Sequence, residues 1–318
     1  MKRGGTAAHL RFEASGVPSI GKLVLGRQGL KLAETDPPPG IEVGTDEPLT
    51  LTGATPVTGS FCALGDHERV ALIGRHGALA CLAWPSFSLL HERRPPGLDA
   101  LIPAVGRNAA LVHADGGWRA VVLPSLGDIV YELGDGHASI RHDGQQMAVA
   151  DDGVIKELSL PDGEVLNEIV GPVDGLSYSA DGHLLTAAGG EIGRPGCAVE
   201  HGSEIAALAT ASAAEVGASL HDDGHVSVWA TEGCDLVGTF PAPIAASLVS
   251  LSPDGSKIVL SSGEGDEPRI AVLRASDGAL IQWIEGARAA VAPSTGGYLI
   301  TGDWGTAKIE LSIAEDMT

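Results

Sequence analysis

The chain has 318 residues, 44% of them hydrophobic but only 4% aromatic, with 44 Gly and 19 Pro, a composition that suits many small sheets joined by turns better than one large core. Its 41 acidic and 20 basic residues leave a formal charge of −21. Such a surface repels phosphate backbones and anionic headgroups, so nucleic-acid and membrane-surface partners are disfavoured.

Met1-Lys2-Arg3 is followed by Gly4-Gly5-Thr6-Ala7-Ala8-His9, which offers no apolar region for a secretory signal. No apolar run in the chain approaches membrane-spanning length, and membrane insertion is not expected. Residues 1–46 read as an N-terminal extension with three short strand-like runs, His9–Glu13, Leu23–Leu25 and Leu30–Ala33, before a stiff Pro37-Pro38-Pro39-Gly40 linker. They cap the remainder or make an irregular eighth blade of the repeat described below. Within them Gly16-Val17-Pro18-Ser19-Ile20-Gly21-Lys22 matches GxxxxGK, the start of a phosphate-binding loop. That chemistry needs a hydroxyl after the Lys for Mg²⁺ and a helix behind it, whereas Leu23-Val24-Leu25-Gly26 reads as a strand. A turn is expected there, and no cofactor is expected anywhere in the chain.

From residue 47 to residue 318 a unit recurs: four apolar strands separated by turns rich in Asp and Gly. Its clearest copy runs from Ala246-Ser247-Leu248-Val249-Ser250-Leu251-Ser252-Pro253-Asp254-Gly255 through Ile270-Ala271-Val272-Leu273 to Leu280-Ile281-Gln282-Trp283-Ile284. The first turn returns near Asp66, Arg107, Asp143, Asp181, Ala213, Asp254 and Thr295, at intervals of about thirty to forty residues, the range of propeller blades. Third strands are expected at Leu79–Trp84, Trp118–Leu123, Val154–Leu160, Val226–Trp229, Ile270–Leu273 and Lys308–Ile313. Between about 173 and 203 the Gly189-Gly190 and Arg194-Pro195-Gly196 turns leave room for only one clear strand after the second. The last copy ends after its third strand, so Glu47–Gly53 is expected to supply the missing fourth and close the ring.

The side chains that could carry chemistry follow the same repeat. Asp115, Asp152, Asp223 and Asp303 fall in corresponding turns between second and third strands; recurrence in successive copies points to blade building, since an active site is unique within a ring. His221-Asp222-Asp223-Gly224-His225 gathers four possible metal ligands, yet it lies in a hairpin turn and lacks HExxH or Ca²⁺-loop spacing, so Asp223 is expected to bond backbone amides. By the same recurrence Trp84, Trp118, Trp229, Trp283 and Trp304 are packing residues. The one concentrated basic stretch is His91-Glu92-Arg93-Arg94-Pro95-Pro96; with Arg69 and Arg75 of the same blade it makes a candidate partner contact, because Arg is enriched at interfaces. Cys62, Cys81, Cys197 and Cys234 show no CxxC and no regular spacing, so no disulfide framework is expected and the expected location is the reducing cytoplasm.

The Ser252-Pro253-Asp254-Gly255 turn, its echo Ser179-Ala180-Asp181-Gly182, the Gly136-His137 pair and Asp223-Gly224-His225-Val226-Ser227-Val228-Trp229-Ala230 resemble the WD40 repeat over roughly residues 48–318. The resemblance implies an all-β propeller of about seven four-stranded blades, with eight as the alternative. Ala230 stands where the repeat has Asp, and one blade alone opens with the Gly-His pair, so the family's buried His–Asp–Ser–Trp network is at best partial. The function this implies is a non-catalytic scaffold for protein partners within a larger assembly. The alternative is an enzyme or a small-ligand or metal binder acting through the central channel, which would need inward-facing carboxylates or histidines from several blades at one end.

Overall fold

The computed structural model describes residues 10–12, 16–17, 19–44, 48–130, 133–160, 162–263 and 267–311. Among them there is no helix; the strands form seven sheets, antiparallel but for one N-terminal strand, set in a ring around a central channel. Counted outward from the axis, blade 1 is Phe61–Gly65, Val70–Arg75, Ala78–Ala83 and Leu89–Arg93. Blade 2 is Ala100–Pro103, Ala109–His113, Trp118–Val122 and Gly127–Val130. Blade 3 is Ala138–Ile140, Gln146–Asp151, Val154–Ser159 and Val165–Val170. Blade 4 is Gly175–Tyr178, Leu184–Ala188, Glu191–Arg194 and Cys197–Glu200. Blade 5 is Ile205–Thr210, Val216–His221, His225–Ala230 and Asp235–Pro241. Blade 6 begins Leu248–Leu251, Lys257–Ser261, Arg269–Arg274 and Leu280–Glu285, and blade 7 is built on Ala289–Val291, Tyr298–Gly302 and Gly305–Leu311.

Each blade is packed between two others, so its second strand is covered on both faces and reads as a continuous apolar run instead of an alternating one. Val70-Ala71-Leu72-Ile73, Ala109-Ala110-Leu111-Val112 and Met147-Ala148-Val149-Ala150 are all buried. Outer strands face water, and in Val165–Val170 every side chain except Ile169 is exposed.

The ring closes as the sequence predicts. Leu49–Thr55 pairs antiparallel with Gly305–Leu311, setting Leu51 against Ile309 and Leu49 against Leu311, and both leucines are fully buried. Glu47 and Ile313, the outer limits of the expected strands, lie outside the described residues. The described upstream residues form neither a cap nor an eighth blade: they widen blades already present. Gly16–Val17 pairs with Thr50 and Leu49, and Ile20–Gly26 runs parallel to the fourth strand of blade 6, from Ile20 against Trp283 to Lys22 against Glu285. Gly29–Glu34 then folds back on it. Leu23, Leu30 and Leu32 enter one cluster with Ile281, Ile284 and Tyr298. The phosphate-loop lysine therefore sits on a strand, with its ammonium 3.2 Å from Glu285; of the GxxxxGK string, Pro18 lies outside the described residues. Of the first strand-like run only Leu10–Phe12 is described, and Phe12 bridges to Leu30.

Two expectations are corrected. Blade 4 has its full four strands, because Gly189-Gly190 and Pro195-Gly196 are tight turns and the strands they join are only four or five residues long. Cys197 and Cys234 form a disulfide. Their separation of 37 residues is one blade period: Cys197 opens the outer strand of blade 4 and Cys234 immediately precedes that of blade 5.

Candidate functional site

Neighbouring blades are tied to one another around one mouth of the channel by the turns between first and second strands. Asp66 N donates to Arg107 O at 3.1 Å and His67 N to Val105 O at 2.6 Å, joining blades 1 and 2. Gly106 N donates to His142 O at 2.7 Å, joining 2 and 3, and Ala213 N to Pro253 O at 2.9 Å, joining 5 and 6. Blade 7 joins blade 1 through Ser294, whose backbone N–H and hydroxyl donate to the Glu68 carboxylate at 2.7 and 2.6 Å. Asp66, His67 and Glu68 all have left-handed φ, of 50°, 54° and 58°, which side chains adopt only against a steric penalty; these bonds hold them there.

The channel encloses about 350 Å³ and is walled by the innermost strands of all seven blades. Its wall is mainly Leu, Ile, Val, Ala and Phe, and among the described residues its only Asp, Glu, His, Lys or Arg members are Glu68 and His142. Glu68 is held by Ser294. Burial pushes the His142 imidazole below its usual range, against a hydrogen bond to the Tyr178 backbone that raises it. Four of the wall hydroxyls are spent between or within blades: Ser177 on Thr210 at 2.9 Å, Thr210 on Tyr178 O at 2.6 Å, Ser250 on Ala290 O at 3.5 Å, and Ser261 accepting from Ala290 N at 3.2 Å. Carboxylates and histidines from several blades do not converge there, and among the described residues no group of three or more His, Cys, Asp or Glu has the geometry to hold a metal. Burial raises the thiols of Cys62 and Cys81, the latter to about 12 with help from Asp66, so neither is a thiolate nucleophile.

The four arginines singled out by the sequence do not form one group. Consecutive antiparallel strands put second-to-third turns and inter-blade connections at one end of the ring and the other turns at the opposite end. Arg75 closes a second strand and Arg94 follows an outer strand, so both lie on the connection face; Arg69 lies in a first-to-second turn, at the other end. Arg93 ends the outer strand of blade 1 instead of sitting in a loop. Its guanidinium grips both Asp128 oxygens of blade 2 at 2.5 and 2.8 Å and donates to Leu126 O at 3.0 Å. Arg94 is exposed and its nearest carboxylate, Glu92, is 3.4 Å away. The two neighbours should therefore behave differently: Arg93→Glu strands a carboxylate against Asp128, whose side chain is only 13% exposed, and should cost about 2–4 kcal/mol, while Arg94→Glu should change stability by less than ~0.5 kcal/mol. Urea denaturation of each single variant measures the difference, and equal midpoints would refute it.

The four turn aspartates lie where the repeat places them, but they act by different means. Asp115-Gly116 and Asp152-Gly153 are two-residue turns with both residues at positive φ, the geometry that matches strand twist in a hairpin. Asp223 accepts from His225 N at 3.0 Å, while Asp303 turns to Arg288, at 3.0 and 2.7 Å. The five tryptophans fall in five separate blades and form no cage. In blade 5 the Trp229 indole N–H has no hydrogen-bond partner, and the Ser219 hydroxyl meets His221 Nε2 at 3.0 Å. His137 of the Gly-His pair is exposed; Gly136 instead serves through close approach, since a Cβ there would overlap the Ala150 carbonyl, and its own carbonyl accepts from the Trp118 indole at 2.6 Å.

Sequence reasoning missed the charge pattern of the connection face. Over blades 2–5 its turns and connections carry Asp99, Asp115, Asp135, Asp152, Asp174, Glu204, Asp222 and Asp223 and, among the described residues, neither Lys nor Arg. Histidines are interleaved with them. His113 lies between Asp99 at 2.5 Å and Asp135 at 2.7 Å. The rings of His201 and His221 stand 4.9 Å apart; burial, and then the neighbouring His221, lower His201 to about 4, and burial lowers His221 as well. Blades 7 and 1 present Arg75 and Arg94 on the same face, together with Arg288 paired to Asp303.

No family model and no curated protein matches the chain. Solved structures do. The WD40 domain of Pan2 from Neurospora crassa superposes with a TM-score of 0.58 over 82% of this chain and 91% of that one, at 14% identity. The chain has a WD40-type β-propeller fold. At that identity the likeness extends to architecture alone, and the side chains at the channel and on the faces are this propeller's own.

Proposed function

We propose that this propeller is a non-catalytic scaffold that holds protein partners on its connection face. The observation that carries the reading is the contrast on that face between blades 2–5, with carboxylates and histidines, and blades 7 and 1, where Arg75 and Arg94 are exposed and Arg288 is paired with Asp303. Complementary potentials speed encounter and fix orientation, so a partner with a basic surface beside an acidic one would seat in a single orientation. The fold supplies rigidity, and WD40 propellers as a class hold protein partners.

Affinity capture of the native chain from its source, with identification of the co-purifying chains, tests the reading. Charge reversal should then separate the sectors: Arg75→Glu with Arg94→Glu on one side, Glu204→Lys with Asp222→Lys on the other, all four at exposed positions. Each pair should lower recovery of a specific partner at least tenfold without shifting the melting temperature. Full recovery with both folded double variants would remove this face as the binding surface.

A further inference from the structure

The wall of the central channel has two unlike parts. Among the described residues blades 7 and 2 give it no hydrogen-bonding side chain at all. Phe61, Leu101 and Leu248, each at or next to the start of an innermost strand, make it apolar at the connection-face end. Toward the opposite mouth, three consecutive blades, 3 to 5, supply Ser139, His142, Ser177, Thr210 and Ser212. Thr210 stands in the middle of these, with the Ser177 hydroxyl at 2.9 Å and the His142 imidazole at 3.5 Å, so groups from three blades meet in one corner. Burial favours the neutral form of that imidazole. Ser139 is left over: it is only 5% exposed, and its hydroxyl has no hydrogen-bond partner among the described residues and borders the channel. A buried hydroxyl in that state is available to a guest. The innermost strands are paired along one edge only, so free backbone N–H and C=O groups border the channel as well.

We propose that the channel is a binding site for an uncharged amphiphile, a small molecule whose apolar chain or ring lies toward Phe61, Leu101 and Leu248 and whose alcohol or carbonyl end meets Ser139 beside the Thr210 corner. The volume of about 350 Å³ falls within the ~300–1,000 Å³ of small-molecule sites, which are likewise mostly apolar with a few placed polar groups. Charge decides the class of ligand. An anion would meet no Lys or Arg on the described wall, in a chain that already carries −21. An ammonium would meet only Glu68, whose two carboxylate oxygens already accept from Ser294. Either ion would give up its hydration without gaining a partner, which is the costly case for a buried charge. An alcohol or ketone gives up far less and recovers it from Ser139 and the strand edges. The site stands apart from whatever the connection face holds, and either reading can fail without the other.

Isothermal titration of the full chain with octanol, octanoate and octylamine near neutral pH compares three head groups on one chain length. Octanol should bind saturably with one-to-one stoichiometry, and octanoate and octylamine at least tenfold more weakly. Ser139→Ala, which removes only the hydroxyl, should weaken octanol about two- to tenfold, the worth of one hydrogen bond. Leu248→Arg, at a position 39% exposed, sets a charge at the apolar end and should weaken it at least tenfold. Val170→Arg, on the outer strand of blade 3 at 83% exposure, should leave it unchanged, which separates the channel from apolar side chains on the rim. All three variants should keep the parent melting temperature. No saturable octanol binding up to its solubility, equal affinity for the three head groups, an affinity indifferent to Ser139→Ala or to Leu248→Arg, or an equal loss with Val170→Arg would overturn the inference.

Discussion

Deleting residues 1–53 should lower the melting temperature by at least ~10 °C and broaden the transition, because the deletion opens the ring. Leu49 and Leu51 are fully buried against the last strand of blade 7, and losing a buried Leu costs about 2–5 kcal/mol. In a chain of this size each kcal/mol moves the midpoint by about 2–4 °C or somewhat less. The deletion also strips the hairpin from blade 6, which takes Leu23, Leu30 and Leu32 out of the shared core. The point variant Leu51→Asp in the full chain isolates the closing strand from the hairpin. Differential scanning calorimetry of parent, deletion and point variant reads both contributions. A truncated chain that melts at the parent temperature would show that the ring does not depend on this strand.

The Cys197–Cys234 bond should contribute about 2–4 kcal/mol, the amount expected for a cross-link closing a loop of this length. It joins the outer edges of blades 4 and 5, and blade 4 has the shortest outer pair of strands in the ring, Glu191–Arg194 and Cys197–Glu200. Reductant, or the double variant Cys197→Ser with Cys234→Ser, should therefore lower the melting temperature by several degrees, with the same final value by either route. Thiol titration of the unfolded protein without reductant should count two free cysteines, Cys62 and Cys81. Four thiols and a melting temperature insensitive to reductant would show that the pair is not joined in solution.

The architecture was legible because blades are local. Each is built from consecutive strands and tight turns, so Ser252-Pro253-Asp254-Gly255 and Asp152-Gly153 can be recognised within a few residues of chain. Ring closure was legible by subtraction, since a last copy lacking one strand must borrow it. Blade 4 was misread because its strands are too short to show a period. The disulfide went unseen because two cysteines one blade period apart become neighbours only when blades stack side by side.

The candidate surfaces were less legible for a related reason. Arg69, Arg75, Arg93 and Arg94 lie close in sequence, but antiparallel strands send successive turns to opposite ends of the ring, and Arg93 is consumed by Asp128 of the next blade. Asp99, Asp135, Glu204 and Asp222, scattered along the chain, arrive on one face by the same alternation. Local pattern therefore determined the blade, the turn chemistry and the closing strand, which depend on residues a few positions apart or on a strand left over. Tertiary structure alone decided which charges share a face, which cysteines meet and which side chains line the channel, because those depend on how neighbouring blades are set around the axis.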